Sequence, residues 1–133
     1  MERYKILGQV NVADDAVFET LYTCPVRAET TYTVSGGTTS VTPSAVDVNT
    51  QTLVTSIIAC NTTALADTFS IRLLPTSGTT PGDEHLLFDI AAIAASETHV
   101  LSLGLTLSAG NTLEVTCATS DSISFTAMGI EVT

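Results

Sequence analysis

A chain of 133 residues with a hydrophobic share of 44% is long and apolar enough to bury a core in one domain, which excludes a disordered chain. Its net charge of −10, with only four basic residues, repels a phosphate backbone, so DNA and RNA are excluded as expected partners. No apolar run approaches the ~18 residues of a spanning helix, and the first residues lack the basic, apolar, small-residue order of a secretory signal, so no membrane contact and synthesis in the cytoplasm are expected.

Taken in chain order, the elements alternate with a period of two, and none keeps a helical period. The opening stretch RYKILGQVNV, residues 3–12, places Tyr4, Ile6 and Val10 towards a core and leaves Arg3, Lys5, Gln9 and Asn11 for a neighbour. Gly8 within it predicts a close backbone approach or a kink. Cys24, Cys60 and Cys117 fall in strand-like runs without C-x-x-C spacing, which predicts buried thiols rather than disulfides or a zinc site.

Residues 28–49, AETTYTVSGGTTSVTPSAVDVN, are the least core-like part of the chain. Ser35-Gly36-Gly37-Thr38 reads as a hairpin tip and Pro43 as an edge or loop residue, so the segment is expected to be an inserted β-hairpin or arm. In TLVTSIIACN, ending at Asn61, both parities are apolar, which predicts cover on both faces, the second from a neighbouring subunit or a loop. Phe69, Ile71 and Leu73 then point one way and Ser70 and Arg72 the other.

Residues 75–85, PTSGTTPGDEH, form an aperiodic loop, and FDIAAIAASE at 88–97 reads as a strand followed by a turn in spite of its alanines. Leu101, Leu103, Leu105 and Leu107 alternate with polar or small residues, as do Leu113, Val115 and Cys117, and the AGN between the two runs predicts a hairpin. In the last run Ile123, Phe125 and Ala127 share one parity and Ile130 and Val132 the other. A β-bulge near Gly129 is expected to reconcile them. About eight main strands with turns every ~8–12 residues describe an all-β chain, a single β-sandwich domain over residues 1–133, jelly-roll-like or immunoglobulin-like.

Chemistry is hard to place on this frame. The two histidines, His85 and His99, stand apart from any G-x-S-x-G elbow, and GDEH at 82–85 lacks a second ligand cluster to complete a metal shell. Asp14-Asp15 and Asp83-Glu84 are neighbours that do not face each other across a sugar, and there is no Trp to form a platform. Gly36-Gly37 precede a Thr-rich strand rather than a helix, so no phosphate loop is expected. Asn61-Thr62-Thr63 fits a glycosylation acceptor but reads better as a strand-end turn. The expectation is a non-enzyme with no catalytic residue, metal or cofactor: an interaction or structural module whose strand edges must be paired or blocked.

The segments YKILGQV, ADDAVFETLYTCP, TSIIACNTTALADTFSIRLLP, DEHLLFDIAAIAASETHVLSLGLTLSAGNTLEV and SISFTAMGIEVT, in this order, resemble a group of small virion proteins of tailed bacteriophages. The resemblance covers most of the chain and departs at residues 28–49, which look like an insertion. It implies a structural protein of the particle, made in the host cytoplasm, and first of all a capsid decoration, or cement, protein that binds the major capsid protein on the outer head surface and stabilises it. A tail, baseplate, collar or fibre component is the alternative, and a carbohydrate-binding module ranks below both. Decoration implies a homo-oligomer, expected as a homotrimer. The interface residues expected are Arg3, Lys5 and Gln9 of the first strand, Tyr32, Val34 and Val41 of the arm, and Leu53 and Ile58 of the two-sided strand.

Overall fold

The computed structural model describes residues 3–26, 29–44, 50–76 and 78–132, with the backbone alone for 29–35 and 38–44. Ten strands follow one another: β1 (Arg3–Asn11), β2 (Glu19–Thr23), β3 (Glu29–Ser35), β4 (Thr38–Ser44), β5 (Gln51–Asn61), β6 (Asp67–Leu74), β7 (Leu86–Ile93), β8 (Thr98–Ser108), β9 (Thr112–Cys117) and β10 (Ile123–Val132). A 3₁₀ turn, Asp83–His85, precedes β7. Among the described residues no helix is long and apolar enough to cross a membrane.

The strands make two four-stranded antiparallel sheets, ordered β1-β10-β5-β8 and β2-β9-β6-β7, and β3 and β4 form a third sheet of their own. The all-β sandwich expected from the alternation is the architecture observed. Four pairs are nested, β1 with β10, β2 with β9, β5 with β8 and β6 with β7. An antiparallel ribbon wrapped so that alternate pairs fall in opposite sheets is a jelly roll, which resolves the choice that the sequence left open.

The inward parities of both sheets meet in one core. Phe69 of β6 stands at its centre, with ring centroids 5.9 Å from Phe125 and 6.1 Å from His99, both in the opposite sheet. Ile57, Ile71, Ile93, Leu107, Leu113, Val115 and Ile123 complete it at 1% exposure or less. Each such side chain contributes about 1.5–3 kcal/mol through removal from water, so this layer holds the sheets together. Cys24 and Cys117 are buried in it, Cys60 is half-buried, and none of the three is in a disulfide.

Three expectations about strand geometry need correction. The AGN turn does not close a hairpin, because β8 and β9 lie in different sheets. The chain arches over the end of the sandwich there: Gly110 takes φ 83°, its N–H donates to the Cys24 carbonyl, and the Asn111 side chain accepts from the Ser108 N–H and donates to the Pro75 carbonyl. Leu107 and Leu113 point into the core from opposite sheets, and alternation looks the same in an arch as in a hairpin.

The second correction concerns the bulge expected near Gly129. Register does slip between Met128 and Gly129, but the extra residue is Thr55 of β5, which has no counterpart in β10, so the odd residues of β10 keep facing inward. Ile130 and Val132 therefore stay on the outer face. A second slip, at Leu7 in β1, turns the strand over between Ile6 and Gly8, so Tyr4 and Ile6 are each 55% exposed and do not enter the core as expected. Val10 does pack against it.

Candidate functional site

The consequence of these slips is a continuous outer face on the sheet β1-β10-β5-β8. Register sets its residues in rows across the strands: Tyr4, Ile130, Leu53 and Thr106; then Ile6, Met128, Ser56 and Ser102; then Gln9, Thr126, Ile58 and Val100; then Asn11, Ser124, Cys60 and Thr98. None of the sixteen is charged. The charged residues of these four strands, Arg3, Lys5 and Glu131, all stand at the opposite parity and at one end. Tyr4, Ile6, Val100, Leu53 and Val132 are exposed apolar side chains, and Met128, Ile130 and Ile58 are half-buried beside them. Large exposed apolar patches on a sheet mark contact surfaces.

The face is held in shape by polar contacts among its own residues. The Tyr4 hydroxyl and the Thr55 hydroxyl lie 3.2 Å apart, Thr55 Oγ1 donates to the Met128 carbonyl, and Gln9 Nε2 donates to Thr126 Oγ1. Of the interface residues expected from sequence, Gln9, Leu53 and Ile58 fall on this face. The cover expected on the second side of β5 is not supplied by the described residues, since Leu53 is 37% exposed. The exposed apolar residues that sequence reading missed are Tyr4, Ile6, Val100 and Val132. The signal was present: the even positions of 98–108 and of 124–132 contain no charge in a strongly acidic chain.

Lys5 is already occupied. Its Nζ lies 2.6 Å from Glu131 Oε2, and Glu131 Oε1 accepts a 2.6 Å hydrogen bond from the Tyr22 hydroxyl, which also meets Thr52 Oγ1 at 2.8 Å. Burial works to raise the Glu131 carboxyl, but Lys5 and Tyr22 together outweigh it and hold the group below its ordinary range. Burial first, and then the Glu131 carboxylate, push the Tyr22 phenol well above its ordinary value. The cluster ties β1, β10, β5 and β2 together at one rim, and Lys5, itself exposed, is paired within it. Arg3, next to it, is exposed.

The second expected surface is the arm. β3 and β4 pair with each other from Glu29↔Ser44 to Ser35↔Thr38 and close on Gly36-Gly37, whose positive φ values of 57° and 78° suit a tight hairpin turn. Among the described residues this ribbon is hydrogen-bonded to neither sheet of the sandwich. Register sets Tyr32 opposite Val41 and Val34 opposite Thr39, with Pro43 opposite Thr30. The side chains of Tyr32, Val34 and Val41, and the flanking residues 28 and 45–49, lie outside the described residues.

On the outer face of the other sheet a cleft of about 410 Å³ is lined by Phe18, Thr68, Ser70, Ile90, Thr116 and Ala118. Asp89 and Ile90 both stand against Ser70, a bulge that holds Ile90 at φ 50° with its N–H on Ser70 Oγ and its side chain 68% exposed. Thr116 Oγ1 is buried there without a hydrogen-bond partner among the described residues. Beside the cleft Arg72 stacks 3.8 Å from the Phe18 ring centroid and pairs with Glu114 at 2.5 Å.

Two of the candidate chemical groups, Asn61 and His85, are held by local hydrogen bonds. Asn61 is 1% exposed, and its amide donates to the Leu65 and Ala94 carbonyls while its oxygen accepts from Thr63, so it forms the strand-end turn expected rather than a glycan acceptor. His85 Nδ1 accepts from the Gly82 N–H within the short 3₁₀ turn, and its ring is thereby fixed against its own loop. Among the described residues no group of three or more His, Cys, Asp or Glu side chains could hold a metal ion. Compared with known proteins, the chain matches no family model and no curated protein.

Proposed function

We propose that this chain is a non-enzymatic structural protein of a tailed-phage virion, a capsid decoration protein that binds the outer head surface as a homo-oligomer. The observation that carries the reading is the ribbon β3-β4, which stands as a sheet of its own beside a complete jelly roll. A two-stranded ribbon is marginal in water by itself, and its open edges offer main-chain donors and acceptors for strand addition to a neighbouring protein. The resemblance in order and motif to small phage virion proteins supplies the particle. The major capsid protein is the partner of the arm, and exposed Arg3 offers a cation to it.

Imaging of intact particles that carry the labelled protein tests this directly. Decoration requires hundreds of copies spread over the head, and heads lacking the protein should open at lower temperature. A few copies confined to the tail, baseplate or collar would overturn decoration in favour of a tail component.

A further inference from the structure

We infer that the uncharged outer face of the sheet β1-β10-β5-β8 is where two copies of this chain meet, face to face. This names the contact within the homo-oligomer of the proposed function, and it rests on that reading only for the existence of self-association. The face is selected by charge. A chain of net charge −10 repels its own copies from most directions, and the repulsion is least where neither partner brings a charge to the contact. All sixteen positions of the four rows satisfy this, so the same patch on a second copy is its natural complement. A basic partner would find its counter-charges elsewhere on the surface, and an acidic one would be left with unpaired carboxylates against Ile6, Leu53 and Val100.

Size agrees with this occupant. Four strands about 4.8 Å apart, over eight or so residues of about 3.3 Å rise, present roughly 500–600 Å² per copy. Two copies then remove about 1,000–1,200 Å² in total, at or just below the ~1,200 Å² where specific and stable interfaces begin, as suits a weak contact. Because the patch meets itself, the contact is isologous and produces a two-fold dimer. The sheets stack about 10 Å apart, as two sheets do inside a sandwich, with Tyr4, Ile6, Leu53, Met128, Ile130 and Val100 between them. A homotrimer would need a different, heterologous surface.

Sedimentation equilibrium of the purified full chain tests the inference, at roughly 100 μM protein, where a contact with a Kd of about 10 μM is mostly dimeric. The expected result is a dimer that Ile6→Glu and, separately, Val100→Glu weaken by about tenfold or more. Both side chains are more than half exposed, so the variants should keep the parent's circular dichroism and melting temperature. A monomeric parent, a trimer, or a dimer indifferent to both substitutions would overturn the inference. A monomer that still coats heads would overturn this contact alone, whereas a dimer of the expected kind that fails to bind heads would overturn the virion reading and leave the contact standing.

Discussion

Gly8 shows how much a single residue can decide. A Cβ at this position would land on the Leu21 carbonyl of the opposite sheet, so only hydrogen fits where β1 crosses over β2. Gly8→Ala should therefore cost about 1–3 kcal/mol in urea unfolding, while Gly104→Ala, whose Cβ meets open space, should change stability by less than about 0.5 kcal/mol. Equal effects would show that the strand shifts to accommodate the methyl. This close approach was legible, because a glycine inside an alternating strand weakens it and is kept where a bend or a neighbouring backbone leaves no room for a side chain. The Tyr22–Glu131 bond was not, since it joins residues 109 apart and depends on two sheets meeting at one rim.

The same cluster sets a pH dependence. Glu131 has a depressed folded-state pKa, so its stabilisation is fully present above the unfolded-chain value of about 4.3 and is lost as the pH falls through the folded value. Tyr22 has a raised one, so its share is present below about 10 and is lost as the pH climbs beyond. Thermal melts across this range should lose one acidic limb in Glu131→Gln and one alkaline limb in Tyr22→Phe. Unchanged limbs in both would remove the cluster from the pH profile.

At the scale of elements, alternation located the strands but could not assign them to partners. β8 and β9 alternate as a hairpin would, yet they belong to different sheets, because an arch and a hairpin bury the same parity. The two-sided apolar character of β5 was a real signal with a different cause: a slip at Thr55 changes which residues face out, and the outer side is left uncovered by described residues. The ribbon 29–44 was legible from Gly36-Gly37 and Pro43, which dictate a turn and an edge wherever the segment lies. Since it is paired to neither sheet, replacing residues 30–46 with a short Gly-Ser linker should leave a cooperatively unfolding sandwich with native circular dichroism and should abolish attachment to heads. An unfolded product would make the ribbon part of the core.

At the scale of the whole molecule, the wrapped ribbon sorts charge as well as apolar surface. It gathers the uncharged parity of four strands on one face and leaves the described acidic residues to the loops, the rim, the ribbon and the other sheet. With net charge −10 and few ion pairs to lose, raising NaCl from ~0.01 M to ~1 M, which shortens the screening length from about 30 Å to about 3 Å, should raise the melting temperature and the dimer fraction together. A fall in both would mean that Lys5–Glu131 and Arg72–Glu114 outweigh the repulsion. What the sequence by itself determined is local: the strand class, the close approach at Gly8 and the Gly36-Gly37 hairpin, each set by steric limits and by alternation within a few residues. Which strands pair, where the register slips, and therefore which face is left bare of charge were decided only in the tertiary structure, because one slipped residue exchanges the two faces of a strand and no local pattern records its partner.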